Sequence, residues 1–295
     1  MKHPVGLPEQ LADLDRTLVW GVLNVTPDSF SDGGEWEVER DAIEHGLRMA
    51  ADGADVIDVG GESTRPGAPR IPVSTELQRV LPVVAALVAG GVVVSVDTMR
   101  AEVAAQSIAA GASIINDVSG GLADPDMLAT VAGLAVPYVI MHWRGHSANM
   151  DELAHYDDVV REVGDELRAR VDEAVAAGVA IDRIVIDPGL GFAKQVRHNW
   201  PLLAHCDALD SLGLPLLIGA SRKRFLGALL ADSTGAARDV IERDNATHAV
   251  SAIAASKGVW GVRVHDVRGS ADAVRVGAAW RAAGERAAGE SVSSD

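Results

Sequence analysis

The fold is decided by the stretch TELQRVLPVVAALVAGGVVVSVD, residues 75–97. Its first half carries apolar residues at the spacing of one helix face: Leu77, Val80, Val84 and Leu87. Gly91 follows, at a position where a left-handed helix cap needs glycine. A Val-rich run from Val92 to Val96 then has the length and composition of a buried strand, and it ends in Asp97. The stretch therefore predicts a helix that leads into a strand with a polar residue at its end.

The same unit recurs along the chain. Helical patterns also cover Glu39 to Ala51 and Asp157 to Ala177. Gly53, Gly111 and Gly178, like Gly91, come just after the end of a helical pattern. The short apolar runs are Leu18 to Val25, Ala54 to Val59, Val92 to Val96, Ser113 to Ile115, Pro137 to Met141, Arg183 to Ile186, Pro215 to Ile218 and Gly261 to Val264. Eight alternations over this length are typical of an α/β fold, the (β/α)₈ TIM barrel. A doubly wound open sheet is the main alternative.

The chain divides into one barrel domain with short extensions. We expect an N-terminal arm over residues 1–17, the barrel over 18–283 and a frayed polar C-terminal tail over 284–295. Two connections are long, Trp143 to Asp157 and Phe225 to Arg243. We interpret both as loops that carry short helices, because each lies between a strand and the next helix.

Composition excludes several classes of protein. The 295 residues include one cysteine, Cys206, so an internal disulfide is excluded and a reducing, cytoplasmic location is expected. A formal net charge of −16 argues against nucleic-acid partners. The chain shows neither a secretion signal nor a run of apolar residues long enough to span a membrane, so we expect no membrane association.

Each of the eight apolar runs has a polar or charged residue at its end. Because the carboxyl ends of barrel strands converge on one face, we expect these residues to gather there. They are Asn24, Asp58, Asp97, Asn116, His142, Asp187, the Ser221 to Lys223 segment, and Arg263 with His265. Helix N-capping is the alternative role for an acid after a strand, and Asp117, Asp124 and Asp266 are good candidates for it. Capping does not explain Arg263, because a buried cation is costly unless it meets an anion.

The gathered residues fall into two chemical groups. Asp97, Asn116 and Asp187 can form in-plane hydrogen bonds with a flat heterocycle, since a carboxylate accepts two parallel N–H bonds. A second group suits an anion such as a phosphate accompanied by a metal ion: Asn24, Arg263 and His265. The loops Thr26 to Gly34 and Gly60 to Gly67 are rich in Gly, Pro and Ser, as loops that close over a substrate often are.

Two other chemistries stay open from the residues alone. His142 and His146 have the spacing of a metal-binding pair on a helix, although no third ligand stands nearby. Lys223 follows a strand, as a Schiff-base lysine in a barrel aldolase does. Borohydride trapping at Lys223 would identify the second case.

Seven segments closely resemble the signatures of dihydropteroate synthases, in the order in which that family has them. The likeness covers about residues 18–282. The segments are GVLNVTPDSFSDGG (21–34), DVGGESTRPG (58–67), SVDT (95–98), INDVSG (115–120), DPGLGFAK (187–194), GASRKRFL (219–226) and RVHD (263–266).

This resemblance implies a transferase of folate biosynthesis. The reaction would join 6-hydroxymethyl-7,8-dihydropterin diphosphate to p-aminobenzoate, giving 7,8-dihydropteroate and diphosphate, with Mg²⁺ as cofactor. An SN1-like substitution is favoured, because diphosphate leaves readily once its charge is neutralised and the dihydropterin ring stabilises the methylene cation. Sulfonamides, which mimic p-aminobenzoate, would inhibit competitively, and the family's usual homodimer would form through the last helices.

The resemblance also implies a role for each site residue. The pterin slot would contain Asp97, Asn116, Met141, Asp187 and Lys223. Diphosphate would contact Asn24, Arg263 and His265, with Mg²⁺ beside Asn24. The p-aminobenzoate site would consist of Thr64, Arg65, Pro66, Phe192, Ser221 and again Lys223. Phe30 and Asp32 would close the site, and Asp97, Lys223, Arg263 and His265 would carry the catalysis.

Two related functions are alternatives. A methyltetrahydrofolate–corrinoid methyltransferase would share the Asp and Asn pterin slot, but it releases no diphosphate and has no use for Arg263 with His265. A catalytically silent paralogue would bind pterin without turnover. Release of diphosphate that depends on p-aminobenzoate separates both from a synthase.

Overall fold

The strands form one parallel barrel in a computed structural model that describes residues 2–26, 35–63, 70–146 and 150–292. Eight strands lie in these residues, each close to the run predicted for it. They are β1 (Leu18–Asn24), β2 (Val56–Gly60), β3 (Val94–Asp97), β4 (Ile114–Asp117), β5 (Tyr138–Met141), β6 (Ile184–Asp187), β7 (Leu217–Ile218) and β8 (Gly261–Val264).

The sheet closes on itself. Hydrogen-bonded neighbours follow the order β6-β5-β4-β3-β2-β1-β8-β7. The two ends of that order meet where Ile186 pairs with Leu216 in a parallel bridge, and the Ile186 N–H donates to the Pro215 carbonyl at 2.9 Å. The predicted TIM barrel is confirmed, and the open-sheet alternative is wrong because both edges are paired.

Helices surround the barrel and connect its strands. In the described residues they are α1 (Glu9–Ala12), α2 (Glu35–Ala51), α3 (Val73–Ala89), α4 (Ala101–Ala109), α5 (Met127–Leu134), α6 (Val159–Ala176), α7 (Val196–Ala204), α8 (Arg224–Leu229), α9 (Asp244–Ser256) and α10 (Val267–Val292). The two long connections carry short helical turns, as expected: Met150–Leu153 in the first, α8 and Ile241–Arg243 in the second. No helix of the described residues is long and apolar enough to cross a membrane.

Apolar side chains fill the amino end of the barrel. Trp20 of β1 and Trp260, which precedes β8, meet there edge to face with ring centroids 5.5 Å apart. Leu11 of α1 is buried against the same cluster, so the N-terminal arm packs against the barrel. Since this end is filled, the polar ends of the strands at the opposite rim are left to form a site.

Two local predictions need correction, while the four glycine caps are confirmed with φ between 78° and 107°. Asp117 and Asp124 do not cap the helix that follows them, which begins after Asp126. Asp124 instead accepts the N–H of Ala101, the first residue of α4, at 2.8 Å. The frayed tail is also wrong for residues 284–292, which continue α10 to Val292, since this alanine-rich segment has a high helix propensity.

Candidate active site

Polar side chains from strands and loops meet at the carboxyl rim of the barrel. Asp58 and Asn116 end up beside each other although they come from β2 and β4, which are not neighbours. The Asn116 Nδ2 donates to the Asp58 Oδ2 at 2.9 Å. The Arg263 Nε of β8 donates to that same oxygen at 2.5 Å. One carboxylate oxygen therefore holds together a residue of the predicted ring group and a residue of the predicted anion group.

Asp58 is the functional residue that the sequence analysis left without a role. Its side chain is fully buried in the barrel interior. A buried ion is tolerated only when partners neutralise it, and Asp58 has Arg263 for that purpose. A single acid inside the otherwise apolar strand VIDVG was the signal in the sequence.

Asp97 is the second carboxylate that binds Arg263, with its Oδ2 2.5 Å from the arginine Nη2. Burial raises the pKa of Asp97 to about 7, against the opposing effect of Arg263, and the nearby charge of Asp58 raises it further. Burial alone would lower the pKa of Arg263, but Asp58 and Asp97 raise it above its ordinary value. The arginine is therefore a permanent cation, and Asp97 can change its charge near neutral pH.

Asp187 and Lys223 form the opposite side of the rim. The Asp187 Oδ1 accepts the N–H of Gly189 at 2.7 Å, and burial raises the pKa of this carboxyl although Lys223 opposes the effect. Burial lowers the pKa of Lys223 to about 8, with Asp187 opposing. The Lys223 Nζ donates to the Leu190 carbonyl and lies 4.6 Å from the centre of the Phe192 ring. These contacts give Lys223 partners on both the predicted pterin and p-aminobenzoate sides.

Ser221 and His265 form a third pair at the rim. The Ser221 Oγ lies 2.9 Å from His265 Nδ1 and accepts the His265 backbone N–H at 3.1 Å. Two contacts to one hydroxyl fix the orientation of the imidazole. Ser221, predicted beside p-aminobenzoate, thus also supports a residue predicted to bind diphosphate.

Two further predicted site residues, Met141 and Asn24, lie at the same rim. Met141 ends β5, is buried and pairs in register with Asp187. Asn24 ends β1 and is half-buried. Five predicted site residues lie outside the described residues, so their placement is untested: Phe30, Asp32, Thr64, Arg65 and Pro66.

A buried ionic network fastens the chain on both sides of residues 64–69. The Arg100 Nη2 donates to Glu62 Oε2 at 2.8 Å and to the carbonyl of Ile71 at 2.5 Å, and its Nη1 binds Glu76. Glu76, which is 1% exposed, also accepts the Thr98 hydroxyl at 2.6 Å. Thr98 follows Asp97 directly, so this network joins the second loop to the strand end that bears the ionisable carboxylate. In the sequence, this network is indicated only by Glu76, an acid next to the apolar face of α3.

The metal-binding alternative for His142 does not agree with its contacts. The Lys194 Nζ lies 2.9 Å from His142 Nδ1, and the Glu166 Oε2 lies 2.9 Å from His142 Nε2. Both ring nitrogens therefore have protein partners. The residues that the structure describes contain no group of three His, Cys, Asp or Glu side chains able to hold a metal ion.

Comparison with known proteins identifies the family. The model of the pterin-binding enzymes matches residues 20–265, the span that contains every rim residue described above. The dihydropteroate synthase of Mycobacterium leprae (strain TN) is 56% identical over 267 residues, covering 90% of this chain and 94% of that protein. The chain belongs to the dihydropteroate synthase family.

Solved dihydropteroate synthases have the same fold. The Xanthomonas albilineans enzyme, solved with 4-aminobenzoic acid, is 47% identical with a TM-score of 0.83, covering 90% of this chain and 93% of that one. The Yersinia pestis dihydropteroate synthase, solved as a sulfonamide drug complex, is 40% identical with a TM-score of 0.85, covering 95% and 98%. Membership in this family favours a synthase over the methyltransferase and aldolase alternatives.

Proposed function

We propose that the protein is a working dihydropteroate synthase, which joins 6-hydroxymethyl-7,8-dihydropterin diphosphate to p-aminobenzoate and releases diphosphate. The observation that carries this proposal is the shared Asp58 oxygen, which places Asn116 of the ring group and Arg263 of the anion group within reach of one small molecule. A ligand with a flat polar ring next to a charged leaving group fits that arrangement.

The pterin slot is assigned to Asp97, Asn116, Met141, Asp187 and Lys223. Because the Asn116 Nδ2 donates to Asp58, its amide orientation is fixed and its carbonyl oxygen is left to accept a ring N–H. Asp187 is anchored through one oxygen by Gly189, and its carboxylate is able to accept further N–H bonds from the ring. Buried, prepositioned polar groups of this kind discriminate strongly against ligands that leave them unpaired.

The diphosphate is assigned to Asn24, Arg263 and His265. A permanent guanidinium stabilises negative charge that grows on the leaving oxygen, while the Asp97 carboxylate favours the pterin methylene cation. Arg263 lies against Asp97, so both effects act at one bond. The attacking arylamine is neutral at pH 7, and the substitution therefore requires no strong base.

Mg²⁺ is part of the proposal, with Asn24 as its protein ligand. The fit is chemical: Asn24 offers a hard carbonyl oxygen at the rim, and Mg²⁺ commonly uses one or two protein ligands with phosphate oxygens and water. When bound, the ion would neutralise charge on the departing diphosphate.

The p-aminobenzoate site is assigned to Phe192, Ser221 and Lys223, with Thr64, Arg65 and Pro66 added by family resemblance. The Phe192 ring and the Lys223 ammonium lie together at the mouth, which suits an aromatic carboxylate. Phe30 and Asp32 are assigned to loop closure. A sulfonamide would compete for this site, as the Yersinia pestis complex with such a drug supports.

The experiment that tests this function measures diphosphate and dihydropteroate from the same reaction. We expect equal amounts of both, and release that depends on added p-aminobenzoate. Asp187→Asn should lower kcat/KM by at least tenfold, because the amide replaces one accepting oxygen with an NH2 donor, which cannot accept a ring N–H. Diphosphate without dihydropteroate, or no release at all, would contradict the proposal, and a borohydride adduct at Lys223 would favour the aldolase.

A homodimer through the last helices completes the proposal. Ile253 on α9 and Val276 and Trp280 on α10 expose large apolar side chains, and Trp280 is 77% exposed. Large apolar side chains exposed on two neighbouring helices favour an interface there. Sedimentation should give a dimer for the parent chain and a monomer for Trp280→Glu. A cytoplasmic location is also proposed, from the lone Cys206.

A further inference from the structure

We propose that Lys194 is a positioning residue that fixes Phe192 and thereby sets the affinity for p-aminobenzoate. This inference rests on the proposed function, because it concerns the second substrate of that reaction. Lys194 lies on the loop between β6 and α7, outside the set of residues assigned to the rim. Its role follows from the position of its side-chain amino group.

The Lys194 side chain is almost completely buried, at 2% exposure. Its Nζ lies 2.9 Å from His142 Nδ1 and donates to the Phe192 carbonyl at 3.1 Å. Burial lowers the pKa of Lys194 well below its ordinary value, with Lys223 acting in the same direction. Burying an amine in this way is costly unless it is hydrogen-bonded. Here the hydrogen bond fixes the backbone of Phe192.

His142 connects that hold to the body of the barrel. A lysine amine bound to Phe192 acts as donor toward His142 Nδ1, so the histidine proton belongs on Nε2, facing the Glu166 Oε2 at 2.9 Å. Glu166 on α6 is itself bound by the Arg144 Nε at 3.1 Å. The hydrogen bonds thus run without interruption from α6 to the Phe192 carbonyl.

The loop that bears Phe192 needs such support because its backbone is strained. Gly189, Gly191 and Ala193 all have positive φ, and the value of 46° at Ala193 is unfavourable for a residue with a Cβ. Conformations of this kind persist only where the surroundings enforce them. The Tyr156 hydroxyl holds the Ala193 carbonyl at 3.1 Å, and the Asn199 Oδ1 holds the Gly191 N–H at 2.7 Å. Lys194 holds the Phe192 carbonyl, which lies between these two points.

The consequence should be selective for one substrate. The Phe192 ring lies beside Lys223 at the mouth, so a shift of its backbone moves an aromatic wall of the p-aminobenzoate site. Asn116 and Asp187 lie on strands whose hydrogen bonds do not involve Lys194, and of the cations that oppose the effect of burial on the Asp187 pKa, Lys194 acts less than Lys223 and Arg263. Loss of the Lys194 contact should therefore weaken the binding of p-aminobenzoate and leave the binding of pterin diphosphate unchanged.

The test compares Lys194→Met with Lys257→Met, since Lys257 likewise donates to a backbone carbonyl, that of Ala204, but in an exposed contact. For Lys194→Met we expect the KM for p-aminobenzoate to rise about tenfold, the effect of one lost hydrogen bond of typical strength. The kcat should stay within threefold and the Kd for pterin diphosphate within twofold. Lys257→Met should match the parent chain in all three.

Hydrogen exchange of residues 188–195 gives a readout independent of catalysis. Exchange should accelerate in Lys194→Met but not in Lys257→Met. If the parent chain makes no dihydropteroate, the proposed function fails, and the exchange result alone then decides whether Lys194 holds the loop. An unchanged KM together with unchanged exchange would overturn the inference, as would an equal loss of affinity for both substrates.

Two variants of His142 keep the inference testable if Lys194→Met does not fold. His142→Asn retains an acceptor near the Nδ1 position, whereas His142→Leu removes it. We expect a KM for p-aminobenzoate near that of the parent chain for the asparagine variant and about tenfold higher for the leucine variant. Equal KM values in the two variants would overturn the role of this contact.

Discussion

Asp97 and Arg263 form an ion pair at the carboxyl rim of the barrel, with 2.5 Å between the carboxylate Oδ2 and the guanidinium Nη2. The pair comes from β3 and β8, which are not adjacent in the sheet. It places a carboxylate that titrates near neutral pH against a cation that does not. The proposed substitution uses both, since positive charge grows on the pterin methylene while negative charge grows on diphosphate.

Replacing Arg263 should therefore weaken the chemical step. For Arg263→Lys, which keeps the charge but not the two-point contact with Asp58 and Asp97, we expect kcat/KM to fall by about 10²–10³, the cost of losing one charge-stabilising donor. Steady-state kinetics would measure this fall in kcat/KM for each substrate while the other substrate is saturating. Arg275→Lys, at an exposed pair on α10, is the matched control and should be neutral. Unchanged kinetics in Arg263→Lys would show that the anion site lies elsewhere.

The rate should depend on pH through Asp97 and Lys223. Below about pH 7 Asp97 gains a proton and loses the charge that favours the cation, so kcat/KM should fall toward acid. Above about pH 8 Lys223 loses its proton, so kcat/KM should fall toward alkali. The expected profile is a bell with limbs near these values.

Asp58→Asn provides the control for the acid limb. The negative charge of Asp58 raises the pKa of Asp97, so its removal should lower that pKa and move the acid limb to lower pH. An acid limb that does not move, or one that moves toward alkali, would show that Asp97 is not the group that titrates.

Binding of p-aminobenzoate should depend on diphosphate and Mg²⁺. Three of the proposed p-aminobenzoate residues, Thr64, Arg65 and Pro66, belong to the second of the two Gly-, Pro- and Ser-rich loops, and we expect both loops to close only after the anion site is filled. Calorimetry should give tight binding with both present and weak binding without them, and Asn24→Ala should reduce the difference. Equal affinity in the absence of both would argue against a role for loop closure.

The buried network around Arg100 should matter mainly for stability. Arg100→Met removes the cation that pairs with the buried Glu76, and we expect the free energy of unfolding to drop by about 3–5 kcal/mol. The double variant Arg100→Met, Glu76→Gln should recover part of that loss. Urea unfolding measures both, and Arg161→Met, whose partner Asp165 is exposed, should cost less than about 1 kcal/mol. An Arg100 variant as stable as the parent chain would show that the network contributes nothing.

Local features of the fold could be predicted from the sequence. The Val-rich run before Asp97 and the glycine after α3 are decided by the residues themselves, so β3 and its preceding cap were confirmed. The prediction of a frayed tail was wrong for residues 284–292, because the polarity of this segment indicated a tail although its alanines favour a helix. Asp124 was assigned to the wrong helix because its carboxylate accepts the N–H of Ala101, which lies 23 residues before it in the sequence.

The candidate site was predictable in composition but not in pairing. The barrel topology alone brings Asp97, Asn116, Asp187 and Arg263 to one rim. That Arg263 is bound by two carboxylates depends on side chains from three strands, which a linear pattern does not encode. Asp58 was missed as a contributor for the same reason, and so was Lys194, whose partner His142 lies 52 residues away in sequence.

The most direct test of the central claim is a single-turnover experiment with enzyme in excess over pterin diphosphate. With p-aminobenzoate and Mg²⁺ present, one dihydropteroate should form for each diphosphate released, at a rate at least tenfold above that without Mg²⁺. Diphosphate released without dihydropteroate at saturating p-aminobenzoate would contradict a single pocket that holds both substrates.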